Sequence, residues 1–222
     1  EAALKRLESP SLRRKMAEDI RNGIPGWDNF VDFAGFDGIS ITSVSSPKNR
    51  DAVGLTLSEL ARRRGKDPFG ALFDILYEDR LADSMVDVYG VEKNVRRFLK
   101  RPECSICTDG LLGGKPHPRV YGAFPRVLGK YVREEHVLSL EEAVHKMTRK
   151  SASVLRLKGR GEIQEGNYAD LCVFDPATVA DRGTFTDPMQ YPNGIRFVFV
   201  NGVPAVENGK PTMRRNGKVL RK

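Results

Sequence analysis

Asp109 is the residue best placed for acid–base chemistry. It closes the stretch CSICTD and opens a glycine- and proline-rich segment, GLLGGKPHPR, that ends on Arg119. A carboxylate at the carboxyl end of a strand can hold a metal ion or take a proton from water, and α/β folds place their chemistry at that edge. The same aspartate could instead cap the following loop or helix, and spacing alone leaves both readings open. Arg119 lies ten positions later on the same loop. Its planar guanidinium can pair bidentately with a carboxylate.

The other reactive residue types fail on spacing. Cys104 and Cys107 form a C-x2-C pair, but no second pair of ligands accompanies it. In a strand over 103–107, residues three apart point to opposite faces. These thiols, like Cys172, are read as small half-buried side chains. The GLLGGKPHP segment lacks the order of a phosphate-binding loop, and Pro116 and Pro118 interrupt it where a helix would have to begin. His136 and His145 fall on or beside predicted helices with no histidine four residues away. His117 is better placed, but a lone loop histidine is read as structural.

The elements that must position Asp109 and Arg119 follow from periodicity and capping. Ser9-Pro10 opens a helix with Leu12, Met16 and Ile20 on one face, stopped by Gly23 and Pro25. Residues 38–45 alternate as a strand. Thr56 or Ser58 starts a helix ending at Gly65, and Asp67-Pro68 starts another that buries Phe69, Leu72, Phe73 and Leu76. A strand over 84–88, a helix over 91–100 with Val91, Val95, Phe98 and Leu99 as its stripe, and a strand over 103–107 make the repeating unit of a parallel α/β sheet or barrel. Phe124, Val127, Leu128, Tyr131 and Val132 form a further helical stripe, and Ser139 with Glu142 a capping box. Beyond Gly159 strands dominate, over 169–175 and 195–200, with Asn201-Gly202 as a type I′ hairpin turn. This places a boundary between an α/β region, 1–157, and a β-rich portion, 158–222.

Composition narrows the class. The chain has 222 residues, 30% of them charged, and no apolar run long enough to span a membrane. It opens on Glu1 without an initiator methionine or a signal sequence, which points to a trimmed, tagged or partial product. Three cysteines suit a reducing, cytoplasmic setting rather than a disulfide scaffold. The net charge of +8 is spread out, densest near Lys5–Lys15 and in the Arg214–Lys222 tail. No aromatic residues interleave with those patches, so a solvated basic surface is expected and nucleic acid is not.

Several long stretches resemble the N-acyl-D-amino-acid deacylases (D-aminoacylases) of the amidohydrolase superfamily. They are LARRRGKDPFGALFDIL (60–76), TDGLLGGKPHPRVYGAFPRVLGKYVREEHVLSLEEAVHKMT (108–148), GRGEIQEGNYADLCVFDPATVADRGTF (159–185) and QYPNGIRFVFVNG (190–202). The resemblance implies the carboxyl-terminal part of a metal-dependent (β/α)8 barrel with β-sandwich strands attached. It implies a zinc-dependent hydrolase acting on N-acyl-D-amino acids. The family's essential aspartate falls on Asp109, as a catalytic residue and possible metal ligand, and its substrate-carboxylate arginine on Arg119. The superfamily's H-x-H pair, bridging cysteine or lysine and later histidines have no counterpart here. CTDG stands where the family has SSDG or GSDG, and YGVEKNV (89–95) departs from its M-S/D-E-x-D-V segment. The chain alone is therefore expected to be inactive, with an amino-terminal barrel portion or a second copy as its partner. The alternative is a non-catalytic half-barrel that serves binding or assembly.

Overall fold

A computed structural model of the protein describes residues 1–112, 116–185 and 187–220. Lys115 and the two glycines before it, in the middle of the glycine-rich loop, lie outside the described residues. The chain divides into two compact units, one of Glu1–Gly90 with Leu112 and Pro116, the other of Val91–Leu111 and His117–Lys222. The boundary expected at 157/158 falls inside the second unit.

The first unit is mainly helical: α1 (Ala2–Glu8), α2 (Pro10–Asn22), α3 (Phe30–Gly38), β1 (Ile39–Ser43), a 3-10 turn (Pro47–Ala52), α4 (Leu57–Arg64), α5 (Pro68–Glu78) and β2 (Ser84–Asp87). Its helix starts are chemically specified. The Ser9 hydroxyl accepts from the Leu12 amide, and the Asp67 carboxylate accepts from the amides of Phe69 and Gly70. Thr56, not Ser58, makes a reciprocal capping box with Glu59, and Gly65 ends α4 in the left-handed conformation. Met16 and Ile20 pack toward Leu7, Phe69 and Phe73, whereas Leu12 stays exposed. A second cluster joins Ile39, Ile41, Leu57, Leu60 and Ile75. Beside it Asp79 is buried, accepting from the amides of Ser45 and Ser46 and from Asn49 Nδ2.

The expected strand–helix–strand unit is corrected in two places. β2 pairs with β1, and the pairing is antiparallel, with Ile39 opposite Asp87 and Ile41 opposite Met85. Residues 103–107 form no strand. An isolated strand leaves its amides and carbonyls unpaired. Here the Ile106 amide bonds the Lys146 carbonyl, a helical residue, at 3.2 Å.

The second unit holds α6 (Glu92–Leu99), α7 (Arg119–Arg126), a π-helical continuation (Val127–Glu134), α8 (Leu140–Met147), α9 (Arg149–Val154) and four strands. β3 (Leu171–Phe174), β4 (Ile195–Val200), β5 (Val203–Glu207) and β6 (Lys210–Pro211) form one antiparallel sheet in that order. Asn201 and Gly202 both have positive φ, as a type I′ turn requires, and Asn208-Gly209 repeats the device between β5 and β6. The Ser139–Glu142 capping box forms as expected. Leu99, Val127, Leu128, Tyr131, Leu138 and Ala143 make the core. The α6 stripe is only partly buried: Leu99 is inside, but Val91, Val95 and Phe98 are exposed. No helix among the described residues is long and apolar enough to cross a membrane.

Candidate functional site

Asp109 and Arg119 are brought together. Arg119 Nε lies 3.0 Å from Asp109 Oδ1, with side chains 43% and 79% exposed. Asp109 reaches this position from an irregular segment rather than from a strand end. Arg119 is the first residue of α7, so its backbone is fixed by the helix start.

Thr108 ties the two segments. Its hydroxyl donates to the Arg119 carbonyl and accepts from the Gly110 amide, both at 3.2 Å. Gly110 must lie close to α7, because a Cβ there would sit 2.8 Å from Val120 Cγ2 and 2.9 Å from Val120 Cα. Pro118, the residue before α7, supplies no side-chain cap. The Arg119 amide instead donates to His117 Nδ1 at 3.0 Å. The imidazole meets the Phe185 ring edge-to-face, with centroids 5.1 Å apart.

The far end of α7 is held by charge. Arg126 Nη1 donates to Asp181 Oδ2 at 3.1 Å. Burial opposes the charge on Arg126, but the Asp181 carboxylate outweighs it and the guanidinium keeps its proton above the ordinary value. In the π-helical turn, Lys130 Nζ and the Tyr131 hydroxyl both donate to Glu92 Oε1, at 2.8 and 2.7 Å. These donors hold the Glu92 carboxyl below the usual range. Burial, with Glu92 adding to it, pushes the Tyr131 phenol up to about 12. Glu92 lies 38 and 39 positions from its donors, so no local spacing announces this group.

The remaining candidates are dispersed. Cys104, Cys107 and Cys172 are free thiols. His136 and His145 do not join Asp109. Among the described residues, no three or more His, Cys, Asp or Glu side chains gather where they could hold a metal ion. One oxygen of Asp109 faces a guanidinium, so the donors present do not fit zinc by themselves.

The arrangement offers an exposed carboxylate and a guanidinium at one helix start, able to exchange a proton and to bind an anionic group. The amidohydrolase family model matches residues 40–206, which include both. D-aminoacylase of Alcaligenes xylosoxydans xylosoxydans is 42% identical over 168 residues, covering 75% of this chain and 34% of that protein. N-acyl-D-glutamate deacylase of the same organism is 41% identical over 171 residues, covering 76% and 34%. The crystal structure of N-acyl-D-glutamate deacylase from Bordetella bronchiseptica, complexed with zinc and a phosphonate inhibitor, matches at a TM-score of 0.69 and 39% identity, over 79% of this chain and 37% of that one. A D-aminoacylase crystal structure matches at 0.73 and 39% identity, over 83% and 38%. The chain thus spans about a third of the length of the curated relatives it matches. Its mixed helix and sheet content agrees with these structures, and the chain belongs to the amidohydrolase family.

Proposed function

We propose that this chain supplies the proton-transferring aspartate and the carboxylate-binding arginine of a zinc-dependent N-acyl-D-amino-acid deacylase. The observation that supports this most is the 3.0 Å pairing of Asp109 with Arg119 inside the family-matched segment. Arg119 exchanges Asp109 for the substrate carboxylate, and the carboxylate of Asp109, so released, takes a proton from the attacking water and returns it to the leaving amine. Zinc, as bound in the crystal structure of the Bordetella bronchiseptica relative, would need ligands from elsewhere, because no sufficient donor set gathers among the described residues. In this reading residues 1–157 belong to a (β/α)8 barrel and 158–222 to a β-sandwich. An amino-terminal barrel portion, or a second copy, completes the site.

The test combines the chain, zinc and a separately produced amino-terminal portion of a D-aminoacylase relative, with N-acetyl-D-amino acids as substrates. We expect no hydrolysis by the chain alone and measurable hydrolysis by the reconstituted pair. Asp109→Ala should reduce that rate by at least about a hundredfold. Hydrolysis by the isolated chain would overturn the incomplete-site reading. A second reading, a binding or assembly module without chemistry, is favoured by the exposed apolar side of α6, where Phe98 is 66% exposed. A stable but inactive reconstituted pair would select it.

A further inference from the structure

We infer that His117 and Phe185 are positioning residues for Arg119, with Phe185 brought to the site by the loop that follows β3. The inference rests on Arg119 being the carboxylate-binding residue. It adds two side chains that act through Arg119 and are given no part in the proton transfer.

An arginine that must meet a carboxylate in a fixed geometry needs a fixed backbone as well as a long side chain. The first amide of a helix has no carbonyl partner within the helix and is held only if something outside accepts from it. At α7 the residue before the helix is proline, which offers no side-chain acceptor. His117 Nδ1 takes that role at 3.0 Å, in a two-residue turn whose next amide, that of Val120, bonds the His117 carbonyl at 3.1 Å. To accept, Nδ1 must carry no proton, so the contact also selects the imidazole tautomer. Phe185 then fixes the ring plane, edge-to-face at 90°.

The loop is itself braced, which makes Phe185 a firm wall. Thr184 and Asp187 exchange two hydrogen bonds across the turn that carries Phe185, from the Thr184 amide to the Asp187 carbonyl and from the Asp187 amide to Thr184 Oγ1. At the loop's start Asp181 pairs with Arg126 and packs against Gly122, where a Cβ would come within 2.8 Å of Asp181 Cβ. The Tyr191 ring meets Tyr121 of α7 at 6.0 Å. The loop therefore grips both ends of the helix that presents Arg119.

The experiment is nuclear magnetic resonance of the ligand-free 222-residue chain. The wild type should show a through-hydrogen-bond nitrogen–nitrogen coupling between the Arg119 amide and His117 Nδ1. The Arg119 Nε proton, held at Asp109, should exchange slowly with water. Phe185→Leu should weaken the coupling, and both Phe185→Leu and His117→Leu should speed Nε proton exchange about fivefold, the loss of one hydrogen bond. His117→Asn, whose side-chain oxygen can accept across the same two-residue turn, and Phe185→Tyr, which keeps the ring, should stay within about twofold of wild type. Absence of the coupling in the wild type overturns the inference. So does unchanged exchange in folded His117→Leu and Phe185→Leu, or equal acceleration in all four variants. None of these readouts involves substrate. Arg119→Ala in the reconstituted hydrolysis assay tests the carboxylate role separately, so either idea can fail without the other.

Discussion

Residues 39–79 and the four-stranded sheet β3–β6 are both rich in aliphatic and aromatic side chains, yet they dispose of them differently. In the first region Leu60 is 0% and Ile75 1% exposed, and even a carboxylate, Asp79, is buried with its donors in place. In the second, no residue of the four strands is buried, although β4 alone carries Ile195, Phe197, Val198, Phe199 and Val200. Helices that cap themselves and pack locally complete a core over a short stretch of chain. A sheet needs a second layer over its face, and proximity in sequence does not supply one.

Three measurements sharpen that contrast, beginning with the largest effect. Asp79→Ala strands the Ser45 and Ser46 amides and the Asn49 side chain, and should cost the first unit about 3 kcal/mol or more. Trp27 is the single tryptophan and belongs to that unit. Its fluorescence during urea unfolding reads the loss without interference from the sheet. A midpoint unchanged within error would mean that Asp79 is not buried as described.

The second measurement concerns Tyr131, in the core of the second unit. Tyr131→Phe removes the hydrogen bond to Glu92 and should cost about 1 kcal/mol near neutral pH. The folded phenol titrates near 12, above the ordinary value of about 10. Between those values the unfolded chain gives up its proton first. The contribution is therefore intact below about pH 10 and declines as pH rises towards 12. Glu92 works with the opposite sign. Its lowered value makes its contribution full above the ordinary carboxylate range and lost as pH falls through the folded value. Ultraviolet titration of tyrosinate, compared between wild type and Tyr131→Phe, checks the first arm. Acid unfolding of Glu92→Gln, which should show a shallower loss, checks the second.

The smallest effect is expected on the exposed side of α6. Phe98→Ser should change stability by no more than about 0.5 kcal/mol, since little burial is lost. A loss of 2 kcal/mol in urea unfolding would show that the ring is covered in solution.

The parts of the fold legible in the sequence are those whose causes are local. Ser9, Asp67 and Ser139 each cap a helix at the residue expected, and Asn201-Gly202 turns the chain where its composition demands positive φ. Asn208-Gly209 carried the same signal and was readable on the same grounds. What failed depended on distant partners. The strand expected over 103–107 has suitable residues, but none of the described strands pairs with it, and Val91, Val95 and Phe98 have helical spacing but stay exposed. The candidate site divides along the same line. Asp109 and Arg119 stand out by residue type and resemblance. His117 needed Phe185, 68 positions away, before its role could be seen.

The helix after Arg119 carries one more consequence. Pro125 has no amide proton to give, and the chain beyond it widens into the π-helical segment Val127–Glu134. A wide turn holds an extra residue, so the register downstream is offset from that of an ordinary helix. Removing one residue between 127 and 134 would let the segment return to regular winding with the residues after it kept near their present orientation, whereas the same deletion in a regular helix turns everything after it by about 100°. Of the contacts to α6, those made from within the wide segment by Lys130 and Tyr131 would shift. Sequence length is therefore under less constraint here than in α8: a one-residue deletion in the wide segment straightens the helix, but in α8 it rewrites every contact that follows.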